Sequence, residues 1–174
     1  MKKWFVLFGL CLAVWSSFAQ AGELERIQNK GVITVSLNRE YPPFAMQNDG
    51  KPFGLDVDLA HLLAEYLGVK VRFIQPQSYD QQIPKLLAGE SDIIIAAMTR
   101  TIERGLKVNF TDPYFEVSQA ALAKRNLVSD GANSYFDLLE IDGIRLGVKS
   151  GTTHEKFARE LLAANAIKLY PTAD

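Results

Sequence analysis

Thr99, Thr101 and Arg104 stand close together just after the apolar run Asp92-Ile93-Ile94-Ile95-Ala96. A segment leaving the carboxyl end of a buried strand has free backbone N–H groups. A guanidinium beside it can grip a planar carboxylate through two parallel hydrogen bonds, which an ammonium cannot reproduce. The chemistry on offer is recognition of a carboxylate rather than bond breaking. The sequence supplies no Ser-His-Asp set, and no metal-ligand spacing links its two histidines, His61 and His154.

A second segment suited to anions is Ser150-Gly151-Thr152-Thr153, which follows the apolar Ile144–Val148 and opens a helical pattern. Glycine permits close backbone approach there, and N–H groups at a helix start can meet an anion. The G-x-x-x-x-G-K spacing of a phosphate loop is absent. Thr101 sits where an N-cap would stand ahead of Glu103 and Arg104. A capped helix start is also an anion site, so both readings hold. Arg104 has a plainer reading too, as a solvated arginine beside Glu103. Asp56 and Asp58 look like an acid/base pair, but they fall at a helix N-terminus. There the dipole stabilises carboxylates, and capping is the reading taken. Tyr41 precedes Pro42-Pro43, which stiffen its loop.

The elements that must position these residues alternate. A short helix around Leu24 and Ile27 ends at Gly31, and Val32–Leu37 is a first strand. Asp49-Gly50 between apolar segments predicts a hairpin. Val57, Leu59, Ala60, Leu63, Ala64 and Leu67 mark an amphipathic helix stopped by Gly68. Val69–Ile74 alternates as a strand, and Tyr79–Leu87 reads as a helix in which Pro84 must lie near the first turn. Ile93-Ile94-Ile95 suits a strand buried on both faces of a parallel sheet. This order predicts a doubly wound α/β unit with its ligand at the carboxyl ends of the strands. Tyr114–Ala123 reads as a long strand crossing out of that unit, and Arg125–Ser134 as a polar loop. A second unit follows: a helix near Ser134–Leu139, strand Ile144–Val148, helix Thr152–Ala164 and strand Ile167–Tyr170.

Lys2-Lys3, the apolar Trp4–Trp15 and Ala19-Gln20-Ala21 predict a secretory signal peptide cleaved after Ala21. Cys11, the one cysteine, lies inside that apolar run as a filler, because Leu10 precedes it where a lipidation site wants a small residue. The mature chain then has no thiol and no disulfide framework. Without Lys2 and Lys3 its net charge is about −3, with no basic stripe, which argues against nucleic acid and anionic membranes as partners. A hydrophobic share of 48% is enough for a folded core.

Met98-Thr99-Arg100-Thr101-Ile102-Glu103-Arg104, taken with Tyr41-Pro42-Pro43-Phe44, Gly54-Leu55-Asp56-Val57-Asp58-Leu59 and Lys149-Ser150-Gly151-Thr152-Thr153, occurs in a telling order. From about Leu24 to Asp174 the chain resembles the periplasmic amino-acid-binding proteins of ABC importers, the family 3 solute-binding proteins. The resemblance implies an α/β, periplasmic-binding-protein-like (type II) two-lobe fold, with the first lobe nearly complete and the second partial. Residues 1–21 would be the signal peptide, 22–113 the first lobe, 114–125 the crossover hinge and 126–174 the partial second lobe.

It implies a periplasmic monomer that needs no cofactor, binds an amino acid and serves an inner-membrane ABC permease. In the family pattern Arg104 clamps the α-carboxylate, with Thr101 and Thr99 helping, and Thr152 and Thr153 approach from the second lobe. Met98 and Lys149, which belong to the same two motifs, would also be ligand-binding residues. Tyr41 would pack over the ligand's aliphatic part. Asn38 stands where members that bind basic or amide side chains often carry aspartate, which argues against a lysine, arginine or histidine ligand. Arg100 reads either as a surface residue or as a contact to an acidic side chain, and His154 either as exposed or as a side-chain contact.

The family's carboxylate for the ligand ammonium would lie past Asp174, so the chain reads as a truncated gene or a fragment of a longer protein. Three other bearers of the fold stay open: a cyclohexadienyl-dehydratase-like enzyme, the N-terminal module of a membrane-bound lytic transglycosylase, and the sensor domain of a signalling receptor.

Overall fold

The computed structural model describes residues 22–128 and 134–171, so the signal-peptide reading and the Ser129–Asn133 part of the polar loop lie outside the described residues. Strand β1 (Val32–Ser36) is the middle of the first sheet. Ile33, Val35 and Leu37 point to one face and Thr34 and Ser36 to the other, and all five are buried. A parallel strand covered on both faces has this pattern. The apolar face packs on Ile27 of α1 (Glu23–Lys30) and on Val57, Ala60 and Ala64 of α2 (Leu55–Leu67). Gly31 and Gly68 end these helices in the left-handed conformation, as anticipated.

The sheet order is β4-β1-β5, all parallel, with β4 at Lys70–Ile74 and β5 at Ile93–Ile94. β5 departs from the expectation of a strand buried on both faces. Ile93 and Ile94 are half-buried, because β5 is paired only on its β1 side among the described residues. The hairpin of β2 (Met46–Asn48) and β3 (Lys51–Phe53) turns on Asp49 and Gly50 at φ 49° and 74°. Positive φ at both central positions is what a tight hairpin turn demands.

The helix expected over Tyr79–Leu87 is a 3-10 turn, Tyr79–Gln81, followed by α3 (Gln82–Leu87), whose third residue is Pro84. Gln82 is fully buried beneath the polar face of β1. It accepts the Ser36 hydroxyl at 2.6 Å and donates to the Leu37 carbonyl at 2.8 Å.

Tyr114–Ala123, expected as a strand, makes no ladder with any described segment. A strand needs a partner for its N–H and C=O groups, and alternating side chains alone do not supply one. Beyond it, Ser134 caps a 3-10 turn, Tyr135–Glu140, by accepting from the Phe136 N–H. Strand β6 (Leu146–Lys149) begins two residues later than anticipated and pairs in parallel with β7 (Ile167–Tyr170). Among the described residues no helix is long and apolar enough to cross a membrane.

Candidate functional site

The carboxyl ends of β1, β4, β5 and β6 deliver the candidate residues to one cleft. Tyr79, just past β4, is 8% exposed and forms its floor. The Arg104 guanidinium carbon lies 5.5 Å from the centre of the Tyr79 ring and the Lys149 ammonium 5.8 Å from it. Both distances are within cation–π range. Burial pushes the Tyr79 phenol up to about 12, against the pull of Arg104, so it is neutral at physiological pH.

Arg104 belongs to the single-turn helix α4 (Ile102–Gly105), capped by Thr101, whose Oγ1 accepts the Arg104 N–H at 3.3 Å. The capping reading of Thr101 is therefore met. Arg104 Nη1 donates to the Thr99 carbonyl at 2.9 Å, and Nη2 reaches the Gly151 carbonyl at 3.2 Å. These two bonds orient the guanidinium between neutral oxygens. A guanidinium has more N–H donors than they use, which leaves capacity for a carboxylate.

Gly151 precedes α5 (Thr153–Leu161). Its φ is +74°, and its N–H donates to Glu155 Oε2 at 2.8 Å, a bond that holds the Glu155 carboxyl below its usual range. Thr152 is the N-cap: its hydroxyl donates to the Lys149 carbonyl at 2.7 Å and accepts the Glu155 N–H. Thr153 is the first helical residue. Lys149 Nζ donates to Oδ1 of the buried Asn38 at 2.8 Å, which joins the end of β6 to the end of β1. Glu103 pairs with Lys156 of α5, an ion pair that holds the carboxyl at about 2.

Arg104, Thr99, Thr101, Lys149, Asn38 and the Thr152 turn are thus gathered in one place, with Met98 half-buried in the wall. A pocket of about 280 Å³ opens beside them, lined by Tyr79, Met98, Arg104 and Gly151 and walled by Ile83, Pro84 and Leu87. Tyr41 sits in an aromatic cluster, stacked on Phe44 at 5.4 Å, and Phe44 meets Phe115 edge-on. Tyr79 escaped the sequence reading. Its signal was an aromatic just past a strand's carboxyl end, where such sheets collect ligands.

Asp56 departs from the capping reading. Gly54 is the N-cap of α2 and no side chain caps that helix, while Asp56 is fully buried in its first turn. Asp58 is exposed. Among the described residues no group of three His, Cys, Asp or Glu could hold a metal ion.

A family model for bacterial extracellular solute-binding proteins, family 3, matches residues 33–161. Over 155 residues the chain is 32% identical to the L-cystine-binding protein TcyJ of Escherichia coli (strain K12), covering 88% of this chain and 56% of that protein. Over 167 residues it is 32% identical to the cyclohexadienyl dehydratase of Pseudomonas aeruginosa, covering 92% of this chain and 60% of that enzyme. The crystal structure of the ancestral amino acid-binding protein AncCDT-1, a precursor of cyclohexadienyl dehydratase, superposes with a TM-score of 0.77. That match is 37% identical and covers 88% of this chain and 67% of the other. The chain spans 56% and 60% of the lengths of the two curated relatives.

Proposed function

Because the chain belongs to the bacterial extracellular solute-binding proteins of family 3, we propose that it captures an amino acid for ABC-type import. Its fold is that of the type II periplasmic amino-acid-binding proteins. In this reading Arg104 clamps the ligand α-carboxylate, and Thr99, Thr101, Thr152 and Thr153 surround it. Tyr79 and Tyr41 flank the ligand body, Met98 lines the wall, and Asn38 and Lys149 face the side chain. The protein works in the periplasm after losing residues 1–21 and hands its ligand to an inner-membrane permease. Hinge closure of one lobe on the other is the motion involved.

The observation that carries the reading is Arg104. It is rooted in the loop after β5, braced by Thr99, stacked on Tyr79, and in reach of Gly151 across the cleft. The test is a thermal-shift screen of the twenty amino acids on the chain from Gly22 onward, with Arg104→Ala beside it. A shift by at least one amino acid that vanishes in Arg104→Ala supports the reading. A shift that survives the substitution rejects it.

A second reading, favoured by the dehydratase relative, is water loss from a cyclohexadienyl acid at the same cleft. Incubation with such an acid separates the two: turnover supports the enzyme, and saturable binding without turnover supports the receptor.

A further inference from the structure

Asp56 is fully buried, and its Oδ2 has no hydrogen-bond partner. A buried carboxylate is costly unless its surroundings use it. Its Oδ1 accepts the hydroxyl of Tyr114 at 2.8 Å, and the oxygen of that hydroxyl accepts the Ala97 N–H at 2.9 Å. One phenol therefore joins the first turn of α2, the exit of β5 and the start of the crossover. Ala97 has φ +46°, the left-handed region that residues with a Cβ rarely enter. Two residues on is Thr99, whose carbonyl braces Arg104.

We propose that Asp56 and Tyr114 are positioning residues for the 98–104 loop: Asp56 fixes the rotation of the Tyr114 hydroxyl, and its oxygen pins Ala97 in the left-handed conformation that presents Arg104 to the cleft. A phenol has one proton and one oxygen to share. With its proton committed to Asp56, a lone pair is left facing the Ala97 N–H. Burial pushes the Asp56 carboxyl up, against the Tyr114 hydroxyl and the Ala97 N–H, which also faces it and favours its charged form. Burial together with Asp56 pushes the Tyr114 phenol up, so the phenol keeps its proton. The neighbouring Phe115 packs edge-on against Phe44, and Phe44 stacks on Tyr41. The start of the crossover thus touches both loops that frame the first-lobe side of the cleft, and a shift of the crossover is felt at Arg104. The link to ligand binding rests on the reading of Arg104 as the carboxylate clamp. The pinning of Ala97 does not.

The experiment has a ligand-free arm and a binding arm. In ligand-free protein, the Cα and Cβ chemical shifts of Ala97 report its backbone conformation, and amide exchange reports its protection. Tyr114→Phe is expected to lose the left-handed signature and to speed exchange at Ala97 at least tenfold, with Val32–Ser36 unchanged. Asp56→Asn, which keeps an acceptor for the phenol, retains more of the signature than Asp56→Ala. In the binding arm, Tyr114→Phe is expected to reduce the thermal shift given by the twenty-amino-acid panel. Combining it with Ala97→Gly is expected to restore part of that shift, since glycine adopts the conformation without being pinned.

An unchanged Ala97 signature in Tyr114→Phe overturns the proposal. So does a loss of protection spread equally over Val32–Ser36, or an undiminished thermal shift once Ala97 has left the left-handed region. A failure confined to Arg104→Ala overturns the clamp and leaves the pinning of Ala97 standing.

Discussion

A Cβ placed on Gly151 would stand 2.8 Å from the Cβ of Asp80, and only the absence of a side chain lets the loop after β6 settle on the turn after β4. That contact brings the Gly151 carbonyl to Arg104. The clash is with backbone and Cβ atoms, which cannot swing aside, and φ +74° adds strain for any residue but glycine. Gly151→Ala is expected to hold the cleft open and to weaken amino-acid binding about tenfold or more, about 1.4 kcal/mol. Titration calorimetry with the amino acid found in the screen checks this, and unaltered affinity would show that the approach is incidental.

Arg104 is expected to carry a larger share. Truncating one partner of a buried charged pair costs about 2–5 kcal/mol of binding, so Arg104→Ala should lose a comparable amount. Arg104→Lys should recover little, because an ammonium cannot form the two-pronged bond or brace itself on Thr99 in the same way. Equal affinities in the lysine variant and the parent would refute the clamp geometry.

Asp92 should make stability fall in acid. It is pushed up by burial, but Arg26 and the Thr34 N–H, which donates to its Oδ2 at 2.6 Å, outweigh that and leave it below 3.8. A carboxyl depressed in the folded state stabilises above its unfolded pKa, and that contribution is lost as the pH falls through the folded value. Melting temperatures of the parent and Asp92→Asn should therefore differ most near neutrality and converge below the ordinary value of 3.8. A gap that persists at low pH would count against this origin.

Gln82 should matter to stability rather than to binding. Gln82→Ala strands the Ser36 hydroxyl and the Leu37 carbonyl in the core, at about 1–3 kcal/mol for an unsatisfied buried group. Urea unfolding with an unchanged slope and a lower midpoint is the expected result. Loss of less than a few tenths would mean that the polar face of β1 is hydrated in the variant.

What could be read from the sequence was what neighbouring residues decide among themselves. Asp49-Gly50, Gly31 and Gly68 announce their turns because each needs a positive φ that few residues tolerate. Thr101 announces its helix because the cap bond spans three residues, whereas Thr152, expected as the first helical residue, is the cap one position earlier. Tyr79 could not be read in this way. Its role as a floor exists only once Arg104 and Lys149 arrive from two other loops. The same holds for Asp56, whose partner Tyr114 is 58 residues away. The crossover went astray for the opposite reason: its residues favour a strand, but pairing depends on a neighbour that the local pattern cannot supply.

The bond from Lys149 to Asn38 closes a loop of 111 residues, whereas Arg72 of β4 reaches Thr34 of β1 over 38. Chain entropy charges about 1 kcal/mol more for the longer closure, and that joint is held by separate side-chain bonds, with those of Arg104 to Gly151 and Glu103 to Lys156 beside it, rather than by a ladder. When the chain folds, the β1–β4 core is therefore expected to assemble first and the cleft to be drawn together last. On warming the order reverses, and the seam between Asn38 and Lys149 is the first to part.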